Sequence, residues 1–212
     1  MRWLLHETRN KKHEKELYCP KDTPHLLRVP KQKFFCIEGQ GDPNKEDFTE
    51  RVGVLYTLSY AVRMMPKNGF IPNGYFEYTV YPLEGIWDLT ENGRSLTYLD
   101  KNELLYTIMI RQPDFVTDEV VKKAFEIAHK KKPDSLLKEA YFTEIEDGLS
   151  VQILHTGSYD TEPQSFGKMI DFIEQNNYKR RLLTHREIYL SDVRKTETSK
   201  LKTILRYTIE DK

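Results

Sequence analysis

The chain has 212 residues, enough for one ordinary domain or two small halves packed together, and enough to bury a real core. Lysine plus arginine and aspartate plus glutamate each number 33, so the formal net charge is zero, which counts against a nucleic-acid binder that must neutralise phosphates with excess basic charge. No stretch approaches the roughly 20 apolar residues of a membrane-spanning helix, and the two cysteines, Cys19 and Cys36, are too few for a disulfide scaffold and too far apart for a CxxC motif; reduced thiols in a cytoplasm are expected.

Residues 1–24 are rich in Lys, His and Glu and read as an N-terminal arm, partly ordered at best. Short strands are predicted over 25–29 and 33–38, joined through Pro30. The Gly39-Gln40-Gly41-Asp42 run ends the second strand, and a helix follows over about 44–65, with Phe48, Val52, Leu55, Tyr56 and Ser59 at helical spacing and Pro66 closing it. A Gly/Pro/Asn loop precedes a long predicted strand, 75–81, that continues past Pro82 into 83–87. Residues 91–94 read as a turn and 104–111 as a strand.

The clearest helix runs over 117 to about 132. Asp118 and Glu119 lie at its positive end, Lys130 to Lys132 lie at its negative end, and Pro133 stops it. The opening pattern then returns: a strand over 141–146, an Asp147-Gly148 hairpin signal, a strand over 151–156, and a helix from about 162 carrying Phe166, Met169, Ile170 and Ile173. Strands over 185–190 and 201–209 complete it. Gly39 and Gly157, Asp42 and Asp160, and Phe48 and Phe166 match at one constant offset. With the same element order, these matches predict an internal duplication and an α+β fold with antiparallel strands. The expected organisation is the arm, then a single domain over 25–212 with halves at about 25–112 and 140–212 and the 117–132 helix between them. A groove where the halves join is the expected ligand position.

The run His185-Arg186-Glu187-Ile188-Tyr189-Leu190 alternates as a strand should, which puts Glu187 and Tyr189 on one face and Ile188 and Leu190 on the other. If Ile188 and Leu190 face the core under a helix, Glu187 and Tyr189 look away from it. A strand carboxylate most often meets only water.

Two runs carry a resemblance: Gly74-Tyr75-Phe76-Glu77-Tyr78 continuing to Pro82-Leu83-Glu84-Gly85-Ile86-Trp87, and His185 to Asp192 continuing to the 200–206 segment. Together they resemble the GyrI-like (gyrase-inhibitor-like) small-molecule-binding family from about residue 25 to the end. The resemblance implies two tandem pseudo-symmetric βαββ-type modules, one curved antiparallel sheet with helices on one side, and a central pocket. It also implies an aromatic pocket holding a buried Glu on the strand that matches Glu187. Regulators of the family carry a DNA-binding domain. Only a short arm precedes residue 25 here, so a stand-alone member is expected, similar to the group that hydrolyses cyclopropane-containing DNA-alkylating compounds.

On that basis Glu187 is the expected general base and Tyr189 its neighbour on the same face. Tyr75, Glu77, Trp87 and Tyr106 are candidate substrate-binding residues. Glu84 joins them if Pro82 resets the register, a point the sequence leaves open. No metal-ligand spacing, glycine-rich phosphate loop or Ser/His/Asp set is visible, so neither metal nor cofactor is expected. The expected partner is a hydrophobic aromatic small molecule, with no direct nucleic-acid or membrane binding and a monomer or weak dimer. The expected activity is hydrolysis of electrophilic cyclopropanes, giving toxin resistance. The alternative is non-catalytic sequestration of amphipathic or cationic drugs through charge and cation–π attraction.

Overall fold

In a computed structural model of the protein, residues 14–18, 20–131 and 136–212 are described. Most of the predicted arm, Cys19, and the predicted helix stop at Pro133 lie outside them. In chain order the elements are α1 (Lys15–Tyr18), β1 (His25–Val29), β2 (Gln32–Gln40), α2 (Glu46–Met64), β3 (Leu83–Leu89), α3 (Glu91–Ser95) and β4 (Leu104–Gln112). They continue with α4 (Asp118–Lys131), β5 (Tyr141–Ile145), β6 (Gly148–Thr156), α5 (Glu162–Gln175), β7 (Tyr178–Arg180), β8 (His185–Tyr189) and β9 (Lys202–Asp211). The class is α+β, and the ladders described below are antiparallel.

The chain forms two compact units whose segments interleave. One is built from 32–83 and 89–145, the other from 14–31, 84–88 and 146–212 among the described residues. In the first, β2 is the central strand, pairing β4 on one side and β5 on the other. Its residues Phe34, Phe35, Cys36 and Ile37 are fully buried, and Leu55, Leu58 and Val62 of α2 are buried with them. In the second, the strand order is β1-β6-β9-β8-β3, with β7 on the far end of β9. There α5 lays Met169 and Ile173 on Val151, Ile153, Leu205 and Tyr207.

Three sequence expectations need correction. The Asp147-Gly148 signal does not close a hairpin, because β5 pairs β2 and β6 pairs β1. Each short strand thereby lies along a nine-residue strand, and Asp147 turns inward to serve two arginines. Residues 75–82 form no strand. Pro82 has no N–H for a ladder, and the segment is held instead by aromatic packing of Tyr75, Phe76 and Tyr78 on Phe115 and by an Arg63 Nε–H bond to the Tyr78 carbonyl (2.7 Å). Residues 91–94 fall in the short helix α3, capped by the Thr90 hydroxyl, which accepts from the Gly93 N–H.

The duplication is visible in the packing. In the first unit Phe48 of α2 meets Tyr106 edge-on at 5.0 Å; in the second, Phe166 of α5 packs on Tyr207 at 5.3 Å. The two phenylalanines are one of the pairs matched in sequence.

One face of the second sheet is unusual in burying charge. Glu84 and Arg186 pair at 2.9 Å; Asp147 binds Arg186 at 2.7 Å and Arg206 at 3.1 Å; and Gln152 Oε1 accepts from Arg206 at 2.9 Å. The α1 segment closes this face. The Glu16 carbonyl accepts from Gln152 Nε2 at 2.6 Å, and the Tyr18 hydroxyl donates to Glu84 at 3.3 Å. Two guanidinium and two carboxylate charges cancel, which is the condition under which burial is tolerable. Removing one partner leaves a buried charge exposed to its full desolvation cost. Asp147→Ala is therefore expected to lower stability by about 3–5 kcal/mol, read from urea unfolding. A loss below about 1 kcal/mol, the size of an exposed pair, would show the network to be solvated.

Candidate functional site

The β3–β8–β9 register places each side chain. Gly85 lies opposite Glu187, Trp87 opposite His185, and Glu187 opposite Leu205. Directly paired residues share a face, and faces alternate along a strand. Gly85, Trp87, His185, Glu187, Tyr189, Leu205 and Tyr207 therefore look one way, and Glu84, Arg186, Ile188 and Arg206 look the other.

The helix α5 covers the first of these faces, because Leu205 and Tyr207 are the residues on which it packs. This reverses the expected orientation of β8. Ile188 shares its side with the arginines, while Glu187 and Tyr189 lie on the helix side; Leu190 falls outside the strand and is exposed. The physical reason is that β8 is buried on both faces. Alternation then separates two sides without revealing which one the helix takes. The register also settles the question Pro82 left open. Trp87 and Glu84 are both buried, on opposite faces of β3, and Glu84, 1% exposed, is engaged by Arg186.

Glu187 is 8% exposed. Its Oε1 lies 2.9 Å from His185 Nε2, and it accepts the Tyr189 hydroxyl proton. Trp87 Nε1–H donates into the Tyr189 oxygen at 2.8 Å, which directs the phenol proton toward Glu187. Burial first, and the Glu187 charge second, hold the Tyr189 hydroxyl well above the usual phenol range. The indole fits because residue 85 has no side chain: a Cβ there would stand 2.7 Å from Trp87 Nε1 and 3.3 Å from the Tyr189 oxygen. The walls are aromatic. Tyr159 meets Tyr189 edge-on at 6.1 Å, Phe166 packs on His185 at 4.8 Å, and the Arg180 guanidinium lies 3.8 Å over the Tyr207 ring. Tyr159 is 39% exposed and brings the cluster to solvent.

Three members of this cluster have no place in the sequence expectation: Glu162, Tyr159 and His185. Glu162, the first residue of α5, is 6% exposed. Burial, then Glu187, then Asp160 push its carboxyl up to about 9. Burial and Glu187 likewise raise the Tyr159 phenol to about 12. The turn that carries Tyr159 is fastened by His155, whose Nδ1 is 2.9 Å from Ser165 Oγ and whose Nε2 is 3.0 Å from the Ser158 carbonyl. The His185/Glu187 pairing was available to alternation, since i and i+2 share a face. Glu162 was not, because it comes from a helix start 25 residues away in the chain.

Of the other predicted residues, Tyr75, Glu77 and Tyr106 belong to the first unit and have their own surroundings there. Tyr75 packs on Phe115 at 5.2 Å, Glu77 is exposed, and the Tyr106 hydroxyl donates to Asp47 at 3.3 Å. That unit also has a cleft of 430 Å³ beside Lys33, Val116, Asp118, Phe142 and Glu144. Its lysine is committed to the Asp114 and Val116 carbonyls at 3.0 and 2.7 Å. Among the described residues no helix is long and apolar enough to cross a membrane, and no group of three or more His, Cys, Asp or Glu could hold a metal ion.

Comparison with known proteins identifies the family. The model of the GyrI-like small molecule binding domain matches residues 22–208. The chain belongs to the GyrI-like family. A hydrolase from Listeria innocua is similar to it at 35% identity, over 94% of this chain and 98% of that one, with a TM-score of 0.84. An uncharacterized conserved protein from the same organism is similar at 36% identity over the same shares, with a TM-score of 0.87. The EcmrR C-terminal domain shares the fold at 13% identity, over 90% of this chain and 98% of that one, with a TM-score of 0.51. No curated protein sequence matches the chain.

The raised Glu162 carboxyl of this GyrI-like domain sets a pH dependence of stability. The folded state holds a proton up to about 9 that the unfolded chain releases near 4.5. The folded state therefore binds more protons across that window, and stability falls as pH rises through it. Glu162→Gln, which cannot ionise, is expected to flatten this decline in melting temperature. An unchanged slope would show that the group is not held protonated.

Proposed function

We propose that the protein hydrolyses electrophilic, cyclopropane-containing small molecules of the DNA-alkylating kind, with Glu187 as general base. The observation that carries this reading is the Glu187 carboxylate, buried beside Trp87 and Tyr189 and hydrogen-bonded by His185 and Tyr189. A carboxylate so placed can take a proton from a water aimed at a strained ring carbon. The tyrosine and indole would orient a flat conjugated substrate. The similarity to a Listeria innocua hydrolase over nearly the full length of both chains supports a hydrolytic reaction. The role would be protection from a toxin in the cytoplasm, where a chain with only two cysteines, Cys36 buried in the core, suits a reducing compartment.

Within this reading Glu187 and Tyr189 are the catalytic residues and Trp87 a substrate-binding one. Glu84 is assigned to the buried ion network rather than to substrate. Tyr75, Glu77 and Tyr106 are proposed as substrate contacts only from the family resemblance.

A second reading, sequestration without chemistry, draws on the same carboxylate and rings, which would attract a cation. Turnover separates the two. With a cyclopropane-bearing alkylating compound, the wild type is expected to yield the hydrated, ring-opened product. Glu187→Gln is expected to bind the compound within a few-fold of wild type and to lose about 10²–10⁴ in kcat, the usual worth of a positioned base. A compound recovered intact from a tight wild-type complex would exclude hydrolysis. A Glu187→Gln enzyme with undiminished kcat would exclude the base.

A further inference from the structure

The helix α5 begins on a carboxyl that general-base catalysis by Glu187 leaves unused. Glu162 is 94% buried, the complement of its 6% exposure. Its Oε1 has no hydrogen-bond partner. By contrast Glu187, on the strand whose His185 meets Phe166 of the helix, accepts from Tyr189 and lies against His185. Two carboxyls in one buried cluster cannot both ionise cheaply. The helix start favours an anion at Glu162, but only weakly. Burial and a like charge move a carboxyl by up to several units the other way. Those effects win, which is why Glu162 is the group raised to about 9.

We propose that Glu162 is the acid partner of Glu187, a further catalytic residue that delivers the proton the substrate needs as its ring opens. This rests on the hydrolase reading above, taken for a ring conjugated with a carbonyl group. Glu187 takes one proton from water, and the water oxygen bonds to the strained ring carbon. The ring carbon–carbon bond breaks, and its electron pair moves through the conjugated system to the carbonyl oxygen. Glu162 gives its proton to that oxygen. One water has been added, Glu187 is left protonated and Glu162 ionised, and transfer of one proton between them restores the starting state. An unpartnered Oε1 is what such a donor requires, since a carboxyl satisfied on both oxygens by the protein would have no position left for substrate.

Glu162→Gln keeps the shape and removes the proton. Wild type and variant are compared by pH–rate profile, by melting temperature, and by the infrared band of a protonated carboxyl at neutral pH. The wild type is expected to lose kcat as pH rises through about 9. The variant is expected to lack that alkaline limb and to fall about 10²–10⁴-fold in kcat with KM within a few-fold, while remaining folded. Wild-type kcat in the variant, or an alkaline limb retained, would overturn the proposal.

The infrared band separates this proposal from the reading it rests on. A band present in wild type and lost in Glu162→Gln supports the shared proton even if no cyclopropane is turned over, in which case the hydrolase reading alone has failed. A wild type without the band refutes an acid at Glu162 whatever the substrate.

Discussion

Burying charge on both faces of β8 is the constraint from which the rest of the second unit follows. Arg186 points to one side, His185 and Glu187 to the other. Each buried charge would cost several kcal/mol unpaired, so each face must be built around partners. On one side Glu84, Asp147 and Arg206 supply them, and α1 closes the layer with carbonyls and the Tyr18 hydroxyl. That side is fully reciprocal: every charge faces its opposite. On the other side the compensation is made of neutral donors, Tyr189 and Trp87, and an imidazole that is charged only if protonated. Among the described residues, Glu84 and Asp147 are bound directly by guanidinium groups, whereas Glu187 is not. The difference between the two faces sets Glu84 and Asp147, locked in an ion network, apart from Glu187, which the proposed function draws on.

The duplicated scaffold sharpens the contrast. Tyr106 and Phe48 in the first unit repeat the packing of Tyr207 and Phe166 in the second. Beside Tyr106, however, the nearby carboxylate Asp47 is bound by Arg51 at 2.8 Å, and Arg51 also binds Glu139 at 2.7 Å. Its carboxyl is held below the usual range by that arginine. Glu162 and Glu187 have no guanidinium hydrogen-bonded to them among the described residues. One architecture thus appears twice, once with a nearby acid bound by an arginine and once with Glu162 buried and raised beside Glu187.

Much of the fold was legible because most of its signals are local. The helices over 46–64, 118–131 and 162–175 announce themselves through apolar spacing and terminal charge. The duplication shows in a few matched residues. What the chain does not announce is which strands pair. Asp147-Gly148 is a good hairpin dipeptide, yet the buried arginines claim Asp147 and the long strands claim β1 and β5. Glu187 and Tyr189 could be placed on a common face by alternation alone. Their side of the sheet could not, because Ile188 and Arg186 are as buried as they are. Glu162 was invisible for a different reason: as a first-turn glutamate after Thr161 it looks like an ordinary helix-start acid, and only the three-dimensional fold gives it a second carboxylate, Glu187, to interact with.

The most direct test of the site is a crystal of the Glu187→Gln protein, full chain, soaked with an intact cyclopropane-bearing compound. Density for the unopened ring against Gln at position 187, with the conjugated plane beside Trp87 and Tyr189 and its carbonyl oxygen at Glu162, is the predicted result. A compound bound instead in the cleft beside Lys33 and Phe142, with the Glu187 face empty, would contradict it.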